Sequence, residues 1–276
     1  KSQYDLFKKF DSFDEKNYIE LYEYCKKVDI DFMSTPFDLE AVDFLNNLVS
    51  NFKLASADIT NLPLLKKVAS KNKDVILSTG CSTLKEIKGA KDILENEGAK
   101  NVVLLHCILN YPTLNENANL GMIKSLQDYF PNNHIGYSDH TLPNDRMDVL
   151  SMAYLMGCRV IEKHFTNDKN LDGNDHYHSM DYKDSLNFIE RVNQMSSIIG
   201  LKEKRPISSE KKSIKYARRS IYSLCDIKKG QKLNFKNIIC KRPGLGLSPM
   251  LWDDIIGKKA KVNILEDKPI DLNEIE

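Results

Sequence analysis

Across the first two hundred residues, short apolar runs rich in β-favouring side chains alternate with longer amphipathic segments. Near-continuous apolar strands separated by helices imply a parallel sheet covered on its faces, so this rhythm constrains the fold most. The spacing predicts strands over 29–37 (DIDFMSTPF), 51–58 (NFKLASAD), 74–80 (DVILSTG), 101–108 (NVVLLHCI), 134–141 (HIGYSDHT) and 159–165 (RVIEKHF). Helices are expected between them in DLEAVDFLNNLV, LPLLKKVASKN, STLKEIKGAKDILENEG, LGMIKSLQDYF and NDRMDVLSMAYLMG. One more, roughly Glu15 to Lys27, precedes the first strand, and another, roughly Tyr182 to Ile199, follows the last. Ser82 or Thr83, and Asn144, sit where helices should start, while Gly98 and Gly157 sit where they should stop.

A doubly wound sheet and a (β/α)8 barrel both satisfy this alternation. The polar residues decide between them. Nearly every strand ends in such residues: Ser34-Thr35, Ser56 and Asp58, Ser78-Thr79, His106-Cys107, Ser138-Asp139-His140, Lys163-His164. Barrel enzymes assemble their sites from the C-terminal ends of many strands. A doubly wound sheet concentrates its site at one switch point, and its Gly-rich phosphate loop is absent here. The expected fold is therefore α/β, of TIM-barrel type. Six βα units are visible where a barrel needs eight, so either two units are lacking at the front or this is a six-stranded variant; a helix with no strand ahead of it favours loss at the front.

After residue 200 the character changes. Residues 201–215 are basic and polar and read as a linker; 216–276 hold short strand-like pieces with Gly turns, expected to form a small β-rich domain. The barrel-type domain is then residues 1–200. The chain has 276 residues and a formal net charge of +1, so no global field recruits nucleic acid or membrane. No apolar run approaches the roughly 20 residues of a membrane span, and the opening segment has no signal-peptide core. Six scattered cysteines with no CxxC pair read as reduced thiols of a cytoplasmic protein. The first residue is Lys1, not Met, consistent with a trimmed chain.

His140 and His164 end consecutive predicted strands. Neighbouring parallel strands lie about 4.8 Å apart, so two imidazoles at their tips can share one divalent ion of the Mn, Fe, Co or Zn kind. Pattern alone leaves a plain hydrogen-bonding role equally open. Asp139 or Glu162 would then orient an imidazole. Lys53 is either a surface lysine at a strand start, which pattern favours, or an inward cation. Lys163 offers a Schiff-base alternative. Ser56, Ser78 and Ser138 could together bind an anion. His106 and Cys107 point to opposite faces, which removes them as a nucleophile pair. His176 and His178, in a Gly-containing loop, are set aside as substrate contacts at most.

The ordered set MSTPF, FKLASADITNLPLLKKVAS, VILSTG, LLHCILNYPT, IGYSDHT and VIEKHFT resembles the sialic acid synthase family, which includes N-acetylneuraminate, legionaminate and pseudaminate synthases. The tail, from ARRSIYSLCDIKKGQKL through KRPGLG to IIGKKAKVNI, resembles that family's C-terminal antifreeze-like (SAF) domain. The resemblance implies a metal-dependent condensation of phosphoenolpyruvate with an N-acetylated hexosamine, with manganese first among the cations and magnesium or cobalt next. It implies His140 and His164 as metal ligands, and Thr35, Lys53, Ser56, Ser78 and Ser138 as the set holding phosphoenolpyruvate. The Schiff-base reading of Lys163 falls, since an enol phosphate needs no enamine. Asp58 stands where the family usually has Glu, implying a sugar contact; Leu109 departs from the usual Asn or Ser, which implies that a phosphate or substrate contact there is lost or moved to Asn110. Arg242 and Tyr216 imply contacts made across a domain-exchanged homodimer, and Asp58 and Arg242 are the catalytic candidates. The two front strands in which the family carries its E-I-G-x-N-H and K-x-Q type motifs have no match in this chain. The resemblance thus implies a chain lacking a catalytic carboxylate and a second donor-binding lysine. The rival readings are another phosphoenolpyruvate-condensing barrel, of the aldolase or deoxyheptulosonate synthase kind, and a non-catalytic scaffold.

Overall fold

The computed structural model describes Lys8 and residues 12–276. Its contacts divide the chain after Gly200 into two compact units. In the first, five strands form one parallel sheet: β1 (Asn51–Leu54), β2 (Asp74–Ser78), β3 (Val102–Cys107), β4 (Ile135–Asp139) and β5 (Ile161–Lys163). Their spatial order is their chain order, β1-β2-β3-β4-β5. A doubly wound sheet reverses direction at its switch point; this sheet advances without reversal, as a barrel wall does.

Between and around the strands lie α1 (Glu15–Lys27), α2 (Leu39–Leu45), α3 (Leu62–Ala69), α4 (Leu84–Asn96), α5 (Gly121–Tyr129), α6 (Asp148–Leu155) and α7 (Tyr182–Ile199). Their ends follow side-chain chemistry. Thr83 caps α4 in a reciprocal box with Glu86, and Asp181 does the same for α7 with Asp184. Gly98 and Gly157 leave their helices at φ +117° and +104°, a region costly for any residue with a Cβ. Asn144 accepts from the backbone N–H groups of Arg146 and Asp148, so it folds the approach to α6 instead of capping it. The helix itself begins at Asp148.

Two expectations need correction. Six strands were expected and five are present among the described residues of this unit, because residues 29–37 form none. Asp29 turns the chain at φ +57°, and among the described residues no backbone hydrogen bond joins residues 31–37 to β1. Without ladder partners an apolar run is not a strand. The last strand is also shorter than 159–165, although Phe165 pairs with Met180 just beyond it.

The core lies between one sheet face and the helices. It joins Phe52, Leu54, Val75, Leu77, Leu104 and Tyr137 to Leu64, Val68, Leu94, Ile123 and Leu150. Gly136 on β4 faces the other way, where Leu105 and the Val160 carbonyl press so close that no Cβ fits. Among the described residues no helix is long and apolar enough to cross a membrane.

The second unit holds α8 (Lys211–Ala217), an antiparallel pair β6 (Ser220–Ser223) and β7 (Ile238–Lys241), and α9 (Trp252–Ile255). Helix α8, entered through a short turn at Ser208–Glu210, takes up only residues 211–215 of the stretch expected to be linker. Isolated bridges Ile227–Ile264, Lys232–Lys259 and Ala260–Ile275 tie the rest together around Ile221, Leu233, Ile238, Ile255 and Ile270. All six cysteines are free.

Candidate active site

Strand alternation divides the residues at the C-terminal strand ends into two sets. Register aligns Cys107 with Ser138 and Ser138 with Glu162, so these three share the face opposite the helix-packed core. Lys53 joins them. It is buried, not a surface lysine: its Nζ donates to Ser78 Oγ at 2.8 Å and to the Leu54 carbonyl at 3.0 Å. It also pairs with Glu162 Oε2 at 3.4 Å. Ser138 Oγ donates to the other Glu162 oxygen at 2.6 Å, and Ser56 Oγ accepts from the Gly80 N–H at 2.9 Å. One buried cation, three serines and one half-exposed carboxylate thus meet at the sheet's C-terminal edge. Burial pushes the Cys107 thiol upward, keeping it protonated among them.

The two histidines extend this face. The rings of His140 and His164 lie 5.2 Å apart, centroid to centroid, in an edge-on arrangement. Tyr111 packs against both, at 4.2 and 5.8 Å. His140 Nδ1 sits 2.9 Å from the Ile108 carbonyl. Burial lowers the pKa of both rings and favours their neutral form.

Asp139 and Lys163 occupy the opposite face, so the expectation that Asp139 orients an imidazole is corrected. The two form a buried ion pair at 2.7 Å, with both side chains almost wholly enclosed. Asp139 also accepts from Tyr137 Oη at 2.8 Å and from the N–H and Oγ1 of Thr141 at 3.1 and 3.0 Å. Lys163 donates to the Thr141 carbonyl. The Schiff-base reading fails on the same geometry. Glu162, the other candidate orienter, contacts Lys53 and Ser138. His106 points away from Cys107, as expected, stacking on Tyr137 at 5.6 Å with Nε2 at 2.9 Å from the Ala118 carbonyl.

Other expected site residues stand apart. Asp58 lies in the turn after β1, where its carboxylate accepts from Asn61. Asn110 is exposed and offers its carbonyl to Thr113. Among the described residues no hydrogen bond links Thr35 to the serine–lysine cluster. In the second unit Arg242 Nε donates to the Ala217 carbonyl at 2.6 Å, and Tyr216 is exposed with Lys215 over its ring. A cavity of about 450 Å³ opens at the other strand ends, lined by Val103, Gln127, His134 and Arg159, and holds none of these groups.

Residues 1–204 match the model of the NeuB family, and residues 218–276 match that of the SAF domain. The chain belongs to the NeuB family. Its curated relatives include the N,N'-diacetyllegionaminic acid synthase of Campylobacter jejuni, 42% identical over 98% of this chain and 80% of that one. Among solved structures, the N-acetylneuraminic acid synthetase of Leptospira borgpetersenii, in complex with citrate, is 33% identical with a TM-score of 0.68, covering 73% of this chain and 70% of that one. A spore coat polysaccharide biosynthesis protein E from Chromobacterium violaceum shares the fold, with a TM-score of 0.84 at 24% identity over 96% of this chain and 79% of that one. This NeuB chain is an enzyme of the sialic-acid-synthase class.

The residues present fit a divalent cation. The Nδ1–H of His140 is used by the Ile108 carbonyl, which leaves Nε2 with a free lone pair. Beside His164 lie two groups set aside or unremarked at first: Asp175 and His178. One ligand atom from each of His164, Asp175 and His178 lies within 4.8 Å of the others. His178 is fully buried, yet neither ring nitrogen has a hydrogen-bond partner. The only sequence signal for this group was the density of metal-type ligands in DGNDHYH.

Proposed function

We propose that this NeuB chain condenses phosphoenolpyruvate with an N-acetylated hexosamine, N-acetylmannosamine or a 6-deoxy diacetamido relative. The products are a nine-carbon 2-keto sugar acid and phosphate, made in the cytoplasm for surface polysaccharide. One observation carries the reading: a buried lysine flanked by serines, on the same strand-end face as two neutral imidazoles.

An anionic donor in a nearly neutral protein needs a cation and convergent donors to replace its water. Lys53, with Ser78, Ser138 and Ser56, supplies them. Before the donor arrives, Glu162 neutralises Lys53 and accepts from Ser138; phosphate or carboxylate takes its place at both. His140 and His164 hold the divalent cation, manganese before magnesium or cobalt. When bound, it draws electron density from the sugar aldehyde and makes that carbon electrophilic. The enol carbon of the donor attacks it, water adds at the resulting oxocarbenium carbon and its first proton balances the one the new alkoxide takes up, and the tetrahedral carbon then collapses to the ketone as phosphate leaves by C–O cleavage with the second proton. Asp58 meets the sugar. The parts given to Thr35 and Asn110 rest on motif position alone, as does the reach of Arg242 and Tyr216 to the partner's barrel in a domain-exchanged homodimer.

Calorimetric titration of the chain with phosphoenolpyruvate tests the donor site. A hydrogen bond to a charged group contributes about 1.5–3 kcal/mol, so Lys53→Ala should weaken binding by about 10- to 100-fold. Binding indifferent to that change, or phosphate release with an aldose phosphate but not with N-acetylmannosamine, would overturn the reading.

A further inference from the structure

The cavity at the N-terminal strand ends has no part in the chemistry above. Its volume of about 450 Å³ falls within the roughly 300–1,000 Å³ of small-molecule sites. Val103, in its wall, stands four residues before Cys107 on β3, which at about 3.3 Å per residue separates it from the strand-end face by roughly 13 Å.

One arginine lines this cavity, and no carboxylate does. Arg159 Nη1 donates to the Tyr154 and Cys158 carbonyls, both at 3.0 Å, and the guanidinium carbon lies 4.4 Å from the centre of the Tyr154 ring. These contacts fix the plane of the group and leave the edge formed by Nε and Nη2 without a partner among the described residues. That edge is a fork able to take two oxygens of a carboxylate or phosphate side by side. The amides beside it are fixed as well. Gln127 Nε2 donates to the Met156 carbonyl at 2.8 Å and Asn133 Nδ2 to the Val102 carbonyl at 3.0 Å. Their oxygens are thus left to accept from hydroxyl groups. Glu95, which reaches Asn133 at 3.4 Å, is itself paired with Lys91 at 2.7 Å. The His134 ring is exposed and makes no hydrogen bond among the described residues. Val103 and Val160 add an apolar wall.

We propose that this cavity binds a sugar bearing one carboxylate or phosphate. The anion lies on the free edge of Arg159, the ring hydroxyls donate to Gln127 and Asn133, and the carbon face packs on Val103 and Val160. The site is separate from the strand-end chemistry and stands whether or not the condensation reading holds.

The test uses the full chain made with ¹⁵N-labelled histidine. Of its six histidines only His134 lines the cavity, and its ring signal is the one lost in His134→Gln. Glucose 6-phosphate, glucuronate and inorganic phosphate are titrated in separately at fixed pH. The His134 signal should shift saturably with the sugar phosphate, the sugar acid or both, and the two arms decide which anion is held. Arg159→Gln should weaken that binding by about tenfold or more, and Arg159→Lys, which keeps the charge without the fork, by less. A His134 signal that none of the three probes moves in the unaltered chain overturns the inference, whether or not the variants fold. So does a shift that persists at the same affinity in folded Arg159→Gln. Inorganic phosphate bound as tightly as the sugar phosphate overturns the part given to the amides and the apolar wall.

Discussion

Replacing Lys163 with Met is the most direct probe of what holds the two site histidines in place. Lys163 and Asp139 form an ion pair at 2.7 Å with side chains 4% and 2% exposed. Each lies one residue before a site histidine. Methionine keeps most of the volume and removes the charge, so Asp139 is left buried with only the Tyr137 and Thr141 donors. Breaking one half of such a pair costs about 3–5 kcal/mol. Protonating a carboxylate at pH 7 costs about 4 kcal/mol, which limits the loss to that range. The reciprocal change should cost a similar amount: burial lowers the pKa of Lys163 against the opposing pull of Asp139, and neutralising a lysine at pH 7 costs about 4–5 kcal/mol, which limits the loss in Asp139→Asn in the same way. The double variant Asp139→Asn/Lys163→Met should recover much of the single-variant loss, because no unpaired charge remains. Urea unfolding of the four proteins gives the cycle. A Lys163→Met loss below about 1 kcal/mol, or a double variant no more stable than Lys163→Met, would show that the pair is not the constraint argued here.

Gly136→Ala places a methyl group against Leu105 and the Val160 carbonyl. Overpacking of this kind costs about 1–3 kcal/mol, and a melting temperature equal to that of the unaltered chain would contradict it. The structure should also weaken in mild acid. Burial lowers the pKa of His106, His140, His164 and His178 in the folded chain. Below about pH 6.5 the unfolded state therefore binds protons that the folded state refuses, and stability rises with pH through that window. Each such histidine contributes a slope of at most about 1.4 kcal/mol per pH unit, read from urea midpoints between pH 7.5 and 5.5. A flat profile in metal-free protein would contradict the burial of these rings.

How far the sequence could be read depended on the kind of information each residue carries. That Ser78, Ser138, His140 and His164 gather at one strand-end face is legible because they are polar groups at the ends of otherwise apolar runs, a local signal. Thr83 and Gly98 carry a different local signal, a capping hydroxyl before an amphipathic run and a left-handed stop after it. For Lys53 the pattern alone favours a surface lysine and only the family resemblance turns it inward, because alternation says which residues share a face but not which face is wet. Its direction depends on Glu162, which reaches it from the far edge of the sheet. Residues 29–37 have the composition of a strand and fail for want of ladder partners, a property of the neighbourhood and not of the segment. His178 was set aside because its place beside His164 depends on two backbone hydrogen bonds across a fourteen-residue excursion with no periodicity.

A single parity separates chemistry from scaffold in this sheet. Ser138, His140, Glu162 and His164 are the even members of β4, β5 and their extensions, and they share a face with Lys53 and Cys107. Tyr137, Asp139 and Lys163 are the odd members, locked together behind them. Slipping one strand by one residue would exchange the two sets. Glu162 would then be drawn into the apolar layer beneath the helices, and the Lys163 ammonium would enter the space where two neutral imidazoles gather. Both moves bury or crowd charge without a partner, so the ion pair on one face and the apolar core around it enforce the register in which the other face gathers Lys53, the serines and the two imidazoles.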